Sequence, residues 1–327
     1  TTDINVDRDI LVWDITKGEG ESLQELETYF RQIWNEDCVQ IKGGRKKNSS
    51  DISVSEEASD DSEGAESDSK NSNVVNGIPN AENEITDETQ EKLSKYEKQY
   101  QSLEMRYASL KEKYTDIEDY SSWQEDTIPA NKITLVNNGT HAGPKTPLVL
   151  QTIRYLAQNA ENVTIQTPYV ICNGYMYDTL NEIASHAQLK IILNAVEKGS
   201  NPWGCTDYLN QKKKILNTGA DVYELMNEVP VHTKAVLLDE RLSIVGSYNL
   251  DMRSTYLDTE LMLVIDSKEL NQQIQFTEGT YIEKSKEVLS NGQETEGGQY
   301  ETKELNWQKK LFYGVLRIII RPLRQLL

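Results

Sequence analysis

Residues 128–290 are predicted to form an α/β domain with a buried central sheet flanked by helices. Two observations carry the prediction. Short runs dense in Val, Ile and Leu recur at Ile133–Val136, Val163–Gln166, Leu189–Leu193, Val222–Leu225, Ala235–Leu238, Ser243–Gly246 and Leu261–Ile265. Near-continuous apolar runs of this length are strands covered on both faces. Between them lie stretches of helical length at Pro147–Ala160, Tyr175–Ala187, Thr206–Thr218 and Glu269–Val288. Strands alternating with helices pack as a sheet between helical layers.

Upstream, residues 1–42 read as a strand around Asp9 to Trp13 and a helix from Ser22 to Asn35. Leu23, Leu26, Phe30, Ile33 and Trp34 share one face of that helix. Ser22 and Glu25 have the spacing of a capping box. One strand and one helix cannot enclose a core, so this piece must dock on the later domain or on a region outside this sequence. The chain starts at TTDINVDRDI with neither an initiator Met nor a basic-then-apolar leader, and it reads as a fragment.

Of the formal charge of −19, about −7 lies in the next segment, with 11 Asp plus Glu against 4 Lys plus Arg. Residues 43–87 hold almost no aromatic or large aliphatic side chains and are dense in Ser, Asp and Glu. Such a stretch cannot bury enough surface to offset its ordering entropy, so it reads as a disordered acidic linker, either a solvated spacer or an interaction tail. Over residues 88–120, Leu93, Tyr96, Tyr100, Leu103, Tyr107, Leu110, Tyr114 and Ile117 recur at alternating steps of three and four. This heptad pattern predicts a long helix, which either pairs with a second copy in a homodimer or lies back on its own domain. The three cysteines, Cys38, Cys172 and Cys205, have no metal-ligand spacing and support neither a zinc site nor a disulfide framework. A reducing, cytoplasmic setting follows.

Residues 305–327 close the chain with a basic, apolar helix. Its apolar run is well short of the ~20 residues that span a bilayer, and Arg317 interrupts it. Steps of about 100° per residue place Lys310, Arg317, Arg321 and Arg324 in one arc, opposite Leu311, Phe312, Val315, Ile318, Ile319, Leu323 and Leu326. The pattern suits a helix lying in an anionic membrane surface, with a core-capping helix as the alternative.

The chemistry is concentrated in V-H-T-K-A-V-L-L-D, Val231 to Asp239, followed by G-S-Y-N, Gly246 to Asn249. On an extended segment His232 and Lys234 share a face, whereas Asp239, seven positions past the histidine, points away. Ser247 and Asn249 project together at the end of the next strand. Imidazole, ammonium, hydroxyl and carboxamide within reach of one anion suit a phosphate group. Lysine supplies the point charge and the amide a hydrogen bond that strengthens as charge builds.

HxKxxxxD followed by GSxN resembles the signature of the phospholipase D superfamily, and GSYNLDMRSTYLDTELMLVID resembles the C-terminal half of bacterial cardiolipin synthases. The resemblance implies a phospholipase D-like fold with a central mixed sheet. It also implies a site built from His232, Lys234, Asp239, Ser247, Asn249 and Glu260, in which Glu260 orients Nδ1 of His232. The implied reaction is phosphodiester cleavage or phosphatidyl transfer on a phospholipid through a phosphohistidine, without cofactor or metal. The location it implies is the cytoplasmic face of the cell membrane.

Family enzymes use two such motifs, and this sequence has one. Of its three histidines, neither His141 nor His186 is followed by a lysine two positions on. His141 sits in a turn-rich loop that either borders the site or is a plain loop, and His186 reads as a structural helix residue. The segments DRDILVWD and SLQELETYFRQIWN resemble the piece that follows the first motif in two-motif relatives, which places a missing first half upstream of Thr1 and leaves the fragment inactive alone. His232 would then be the general acid and base. A homodimeric single-motif nuclease is disfavoured, because residues 129–290 hold 14 Lys plus Arg against 18 Asp plus Glu and offer no basic excess for nucleic acid. A non-catalytic half-site protein is the third reading.

Overall fold

The computed structural model describes residues 6–13, 20–35, 87–115, 125–289, 293–295, 298 and 305–326. The acidic linker lies outside the described residues, except for its last position at Asp87. Residues 1–39 and 127–327 make one compact unit, and residues 40–126 make another.

The first unit is organised by an eight-stranded mixed sheet of order β1-β9-β7-β6-β2-β4-β5-β10. Its strands are β1 (Lys132–Asn137), β2 (Asn162–Gln166), β4 (Gln188–Asn194), β5 (Asp221–Leu225), β6 (Ala235–Leu238), β7 (Leu242–Gly246), β9 (Leu261–Asp266) and β10 (Ser285–Val288). β2, β4 and β5 run parallel, and every other neighbouring pair is antiparallel. Two short strands, β3 (Val170–Ile171) and β8 (Leu250–Asp251), pair in parallel beside it. Every strand expected from Lys132 onward is present.

Helices α1 (Glu21–Asn35), α3 (Leu148–Ala157), α4 (Gly174–Ala184), α5 (Pro202–Leu216), α6 (Met252–Tyr256), α7 (Lys268–Glu283) and α8 (Trp307–Ile319) complete this unit, with a 3-10 turn at Arg321–Leu326. Short polar side chains start most of them by accepting from orphan backbone N–H groups. Asn173 accepts from Met176 N, Asn201 from Trp203 N and Gly204 N, Asp251 from Ser254 N, Ser267 from Leu270 N and Asn306 from Lys309 N. The expected last helix ends at Glu283 rather than Val288, since Lys284 leaves helical geometry and residues 285–288 pair with β5.

All four β6 residues are buried, and they serve two cores. Val236 and Leu238 join the larger one, with Leu150, Ile153, Leu180, Ile183, Tyr208 and Ile215 from α3, α4 and α5. Ala235 and Leu237 face the other way with Val245 and Ile274 of α7, and Ile10 packs onto that cluster. The period of two explains why a continuous apolar run, not an alternating one, marks this strand.

Three expectations change upstream. Asp9 to Trp13 is not a strand, because residues 7–13 have no ladder partner. Val6 alone forms a parallel bridge, to Val231. The capping-box residues of α1 do not cap it. Ser22 Oγ donates to Ile133 O at 2.7 Å, and Glu25 Oε2 accepts from Leu135 N at 3.2 Å. These groups satisfy the outer edge of β1, where backbone would otherwise be unpaired. Tyr29 is the one residue of α1 that is buried, while Leu26, Phe30 and Trp34 of its apolar face are exposed, with Phe30 and Trp34 stacked at 5.9 Å.

In the second unit, helix α2 spans Asp87–Lys113, and positions 116–120 of the expected helix lie outside the described residues. Its described seam residues Tyr96, Tyr100, Leu103, Tyr107 and Leu110 are exposed.

Candidate active site

The segment Val231–Lys234 approaches β6 in extended form, held on both sides at Val231. The Asn194 side chain, at the end of β4, donates to Val231 O at 2.8 Å and accepts from Val231 N at 2.9 Å. From the other side, Val6 N donates to Pro230 O at 2.9 Å, and His232 N donates to Val6 O at 2.8 Å. The backbone on either side of the motif histidine is therefore fixed by residues far away in sequence.

His232 and Lys234 meet as expected. Lys234 Nζ lies 2.8 Å from Nδ1 and 3.0 Å from Nε2 of His232, and it donates to His232 O at 2.6 Å. Burial lowers the pKa of Lys234, against the opposing charges of Asp7, Glu260 and Asp251.

Ser247 and Glu260 sit opposite each other on the ends of β7 and β9. Ser247 Oγ donates to Glu260 Oε2, and it accepts from Leu261 N at 2.9 Å. Burial raises the pKa of Glu260, while hydrogen bonds from Ser247 and Ser254 pull it down. Asn249 Nδ2 donates to Ser254 Oγ at 3.3 Å, and its buried Oδ1 has no partner. Ser254 thus links Asn249 to the carboxylate that faces Lys234. Gly246 of the GSxN run is a packing requirement, since a Cβ there would meet Leu261 O at 2.1 Å. Asp251, two residues past Asn249, caps α6, and burial raises its carboxyl to about 6.

Two expectations are corrected here. Asp239 does not join the site. It follows the far end of β6, about 16 Å along an extended chain from Lys234. There, at φ 51°, its Oδ1 accepts from Glu161 N and Asn162 N at 2.9 Å each. It is a turn residue that ties β6 to the start of β2. Nor does the structure place Glu260 on the imidazole, since Nδ1 of His232 lies 2.9 Å from Asp7 Oδ1.

His186 is structural, as expected, with its ring nitrogens 2.9 Å from Glu182 O and 3.0 Å from Ala157 O. His141 contacts Pro144 O within its own loop at 3.2 Å. That loop nevertheless borders the site, since Asn138 N donates to Glu260 O at 3.0 Å and Lys145 Nζ to Thr259 Oγ1 at 2.6 Å. A cavity of about 150 Å³ opens beside His232, lined by Pro168, Tyr169, Asn194, Ser200 and Asn201 among others. Among the described residues no group of three or more His, Cys, Asp or Glu is arranged to hold a metal.

The terminal helix packs on the core along a narrow stripe and leaves the apolar side, the one expected to meet a membrane, exposed. Tyr313, Leu316 and Ile320 are buried, and Arg317 and Arg324 of the basic arc bond to the core beside them. Arg317 Nε donates to Asn210 Oδ1 at 2.8 Å, and Arg324 Nη2 donates to Cys172 O at 2.9 Å. Leu311, Phe312, Val315, Ile318 and Ile319 are exposed instead. Among the described residues no helix is long and apolar enough to cross a membrane.

Residues 152–277 match the family described as cardiolipin synthase, PLD-like domain. Over that stretch the chain is similar to phospholipase D-like domains. Among its relatives, cardiolipin synthase A of Buchnera aphidicola subsp. Baizongia pistaciae is 30% identical over 141 residues, which is 42% of this chain and 27% of that protein. Cardiolipin synthase A of Escherichia coli O157:H7 (strain EC4115 / EHEC) is 31% identical over 153 residues, 44% of this chain and 30% of that protein. The matches thus span under a third of each relative's length. The solved phosphatidylserine synthase of Haemophilus influenzae Rd KW20 aligns at 17% identity and a TM-score of 0.43, covering 61% of this chain and 49% of that one, too distant to bear on function.

Sequence reasoning passed over Asp7, Asn194 and Ser254. Asn194 carried a signal, being an amide at the end of the apolar run KIILN. Asp7 carried none, since its pairing spans 225 positions.

Proposed function

We propose that this phospholipase D-like chain contributes one half of a phosphatidyltransferase or phosphodiesterase site acting on phospholipid. The observation that carries the reading is the contact of Lys234 Nζ with the His232 ring at 2.8–3.0 Å, beside the Ser247–Glu260 pair and the Asn249 amide, whose Nδ2 has a second N–H besides the one given to Ser254. Lys234 neutralises non-bridging phosphate oxygens, and Asn249 hydrogen-bonds the developing charge. His232 exchanges a proton with the leaving or attacking oxygen, while a second HxK histidine, absent from this sequence, forms the phosphohistidine.

The same reading places the protein at a membrane surface through residues 307–327. The exposed apolar face of α8, with Trp307 at its start, enters the acyl boundary, and nearby bases meet anionic headgroups. The supporting observation is that this face is exposed, with Lys310 and Arg321 exposed near it, while Arg317 bonds to the core.

The test uses phosphatidylglycerol vesicles and headgroup release. A protein that joins this chain to a second HxK half turns over, and His232→Ala abolishes turnover while His141→Ala leaves it intact. Robust diester hydrolysis by this chain as a monomer overturns the half-site account.

A further inference from the structure

We infer that α2 is one half of an antiparallel two-stranded coiled coil, and that its seam takes the α2 of a second copy of this chain. The inference is independent of the proposed function and concerns the second unit alone.

The seam repeats every seven residues. Tyr100, Tyr107 and Tyr114 occupy one core position of the heptad, a, and Tyr96, Leu103 and Leu110 the other, d. Tyr114, one residue past the end of α2, keeps the helical bond of its N–H to Leu110 O at 2.8 Å. A straight helix drifts by ~20° per heptad against such a repeat, so the stripe stays in contact only with a partner that supercoils around it. Every described side chain from Ser94 to Lys113 is exposed, Leu103 at 64%. A helix solvated on all sides is marginal by itself, and covering its apolar face is what stabilises it.

The sizes of the seam residues select the partner's direction. In a parallel pair a meets a and d meets d, which stacks tyrosine on tyrosine at 100, 107 and 114. Reversal about a two-fold axis at position 105 makes a meet d. Tyr100 then faces Leu110 of the partner subunit and Tyr107 faces Leu103 of the partner subunit, and only the outermost layers pair Tyr96 with Tyr114. Large opposite small in each central layer lets the facing positions interdigitate. The rings fill the seam while their hydroxyls reach its rim, as the hydrogen bond between Tyr100 and Glu104 shows.

Charge agrees along one flank. Glu97, Glu104 and Lys111 occupy the e positions, acidic and then basic. Reversal lays the partner's Lys111 between Glu97 and Glu104, whereas a parallel pair sets Lys111 against the partner's Arg106. On the other flank Arg106 meets its own copy near the axis, but exposed charges there are screened by solvent and weigh little.

Sedimentation velocity of the whole chain gives the first reading. A mass twice 37.3 kDa is expected. Leu103→Asp with Leu110→Asp halves it, while Met105→Asp, on the opposite side of α2, leaves it doubled. Near-ultraviolet circular dichroism checks that the sheet-containing unit folds in each variant. A monomeric unmodified chain, which would give the seam to its own domain or to another partner, overturns the inference, and so does a dimer that survives the double substitution. Direction is read from spin labels placed singly by Lys98→Cys, Met105→Cys or Glu112→Cys in a Cys38→Ser background, since Cys172 and Cys205 are buried. The separation between copies is expected to be shortest at 105. At 98 and 112 it gains an axial offset of about 21 Å, the rise over the residues between those two positions. Equal separations at the three positions overturn the antiparallel arrangement.

Discussion

Arg324 binds the fully buried carboxylate of Asp207 with two hydrogen bonds, Nε to Oδ1 at 2.5 Å and Nη2 to Oδ2 at 3.0 Å. The pair pins the last turn of the chain to α5, which also carries α8 through Asn210. Removing the arginine strands a buried charge, and breaking such pairs costs about 3–5 kcal/mol. Arg324→Ala is therefore expected to lower the unfolding free energy of the sheet-containing unit in urea titration by an amount at the lower end of that range, since Arg324 itself is partly exposed. Arg321→Ala, at an exposed neighbour, serves as the control, and equal stability of the two variants would contradict the pinning role.

Asn194 holds both backbone groups of Val231 and also donates to Pro168 O at 3.2 Å. Asn194→Ala leaves the Val231 carbonyl and amide in a buried setting without this partner, at a cost of about 1–3 kcal/mol for each unsatisfied group. Thermal unfolding should fall accordingly, and turnover of the two-motif protein should drop more than binding, because the histidine is misplaced rather than removed. An Asn194→Asp variant that keeps the acceptor but not the donor should lie between.

Glu278 on α7 is buried, its Oε1 has no hydrogen-bond partner, and burial pushes its carboxyl up to about 8 against the opposing charge of Arg8. The unfolded chain releases this proton near 4.5. Between those values the native state binds more protons than the unfolded one, so rising pH erodes stability. The loss is at most about 1.4 kcal/mol per pH unit from this group. Urea titrations at pH 5 and pH 8 should show a larger loss for the unmodified chain than for Glu278→Gln. Parallel losses would mean that Glu278 ionises normally.

Leu311 and Ile318 on the exposed face of α8 are 62% and 70% accessible. If that face meets lipid, Leu311→Glu with Ile318→Glu releases the protein from anionic vesicles in a flotation assay. The folded state should be unaffected, since neither residue packs on the core. Undiminished flotation of the double variant, or of a chain lacking 307–327, would remove the membrane part of the proposal.

Much of the fold was legible because burial on both faces writes itself as continuous apolar runs. Ala235–Leu238 and Leu189–Leu193 could be placed within a residue of their observed strands for that reason. The run at Asp9–Trp13 misled, since its alternation reflects a surface-lying chain and not a ladder. Ser22 and Glu25 misled as well, because the spacing that caps a helix is also one that reaches a neighbouring strand edge.

Within the site, the sequence alone determined that His232 and Lys234 lie together, because residues two apart on an extended chain share a face. For Asp239 strand geometry and the family resemblance pulled apart, and geometry prevailed, since strand rise separates groups five residues apart by about 16 Å. Which carboxylate meets the imidazole was decided only by tertiary structure. Asp7 and Glu260 are both acids near apolar runs, and no local rule ranks them. The choice follows from where Val6 is anchored, beside Val231, and from Ser247 having already engaged Glu260. Tertiary packing likewise decided where the 3-10 turn after α8 docks, because the buried Asp207 supplied a partner for Arg324 that helical periodicity cannot anticipate.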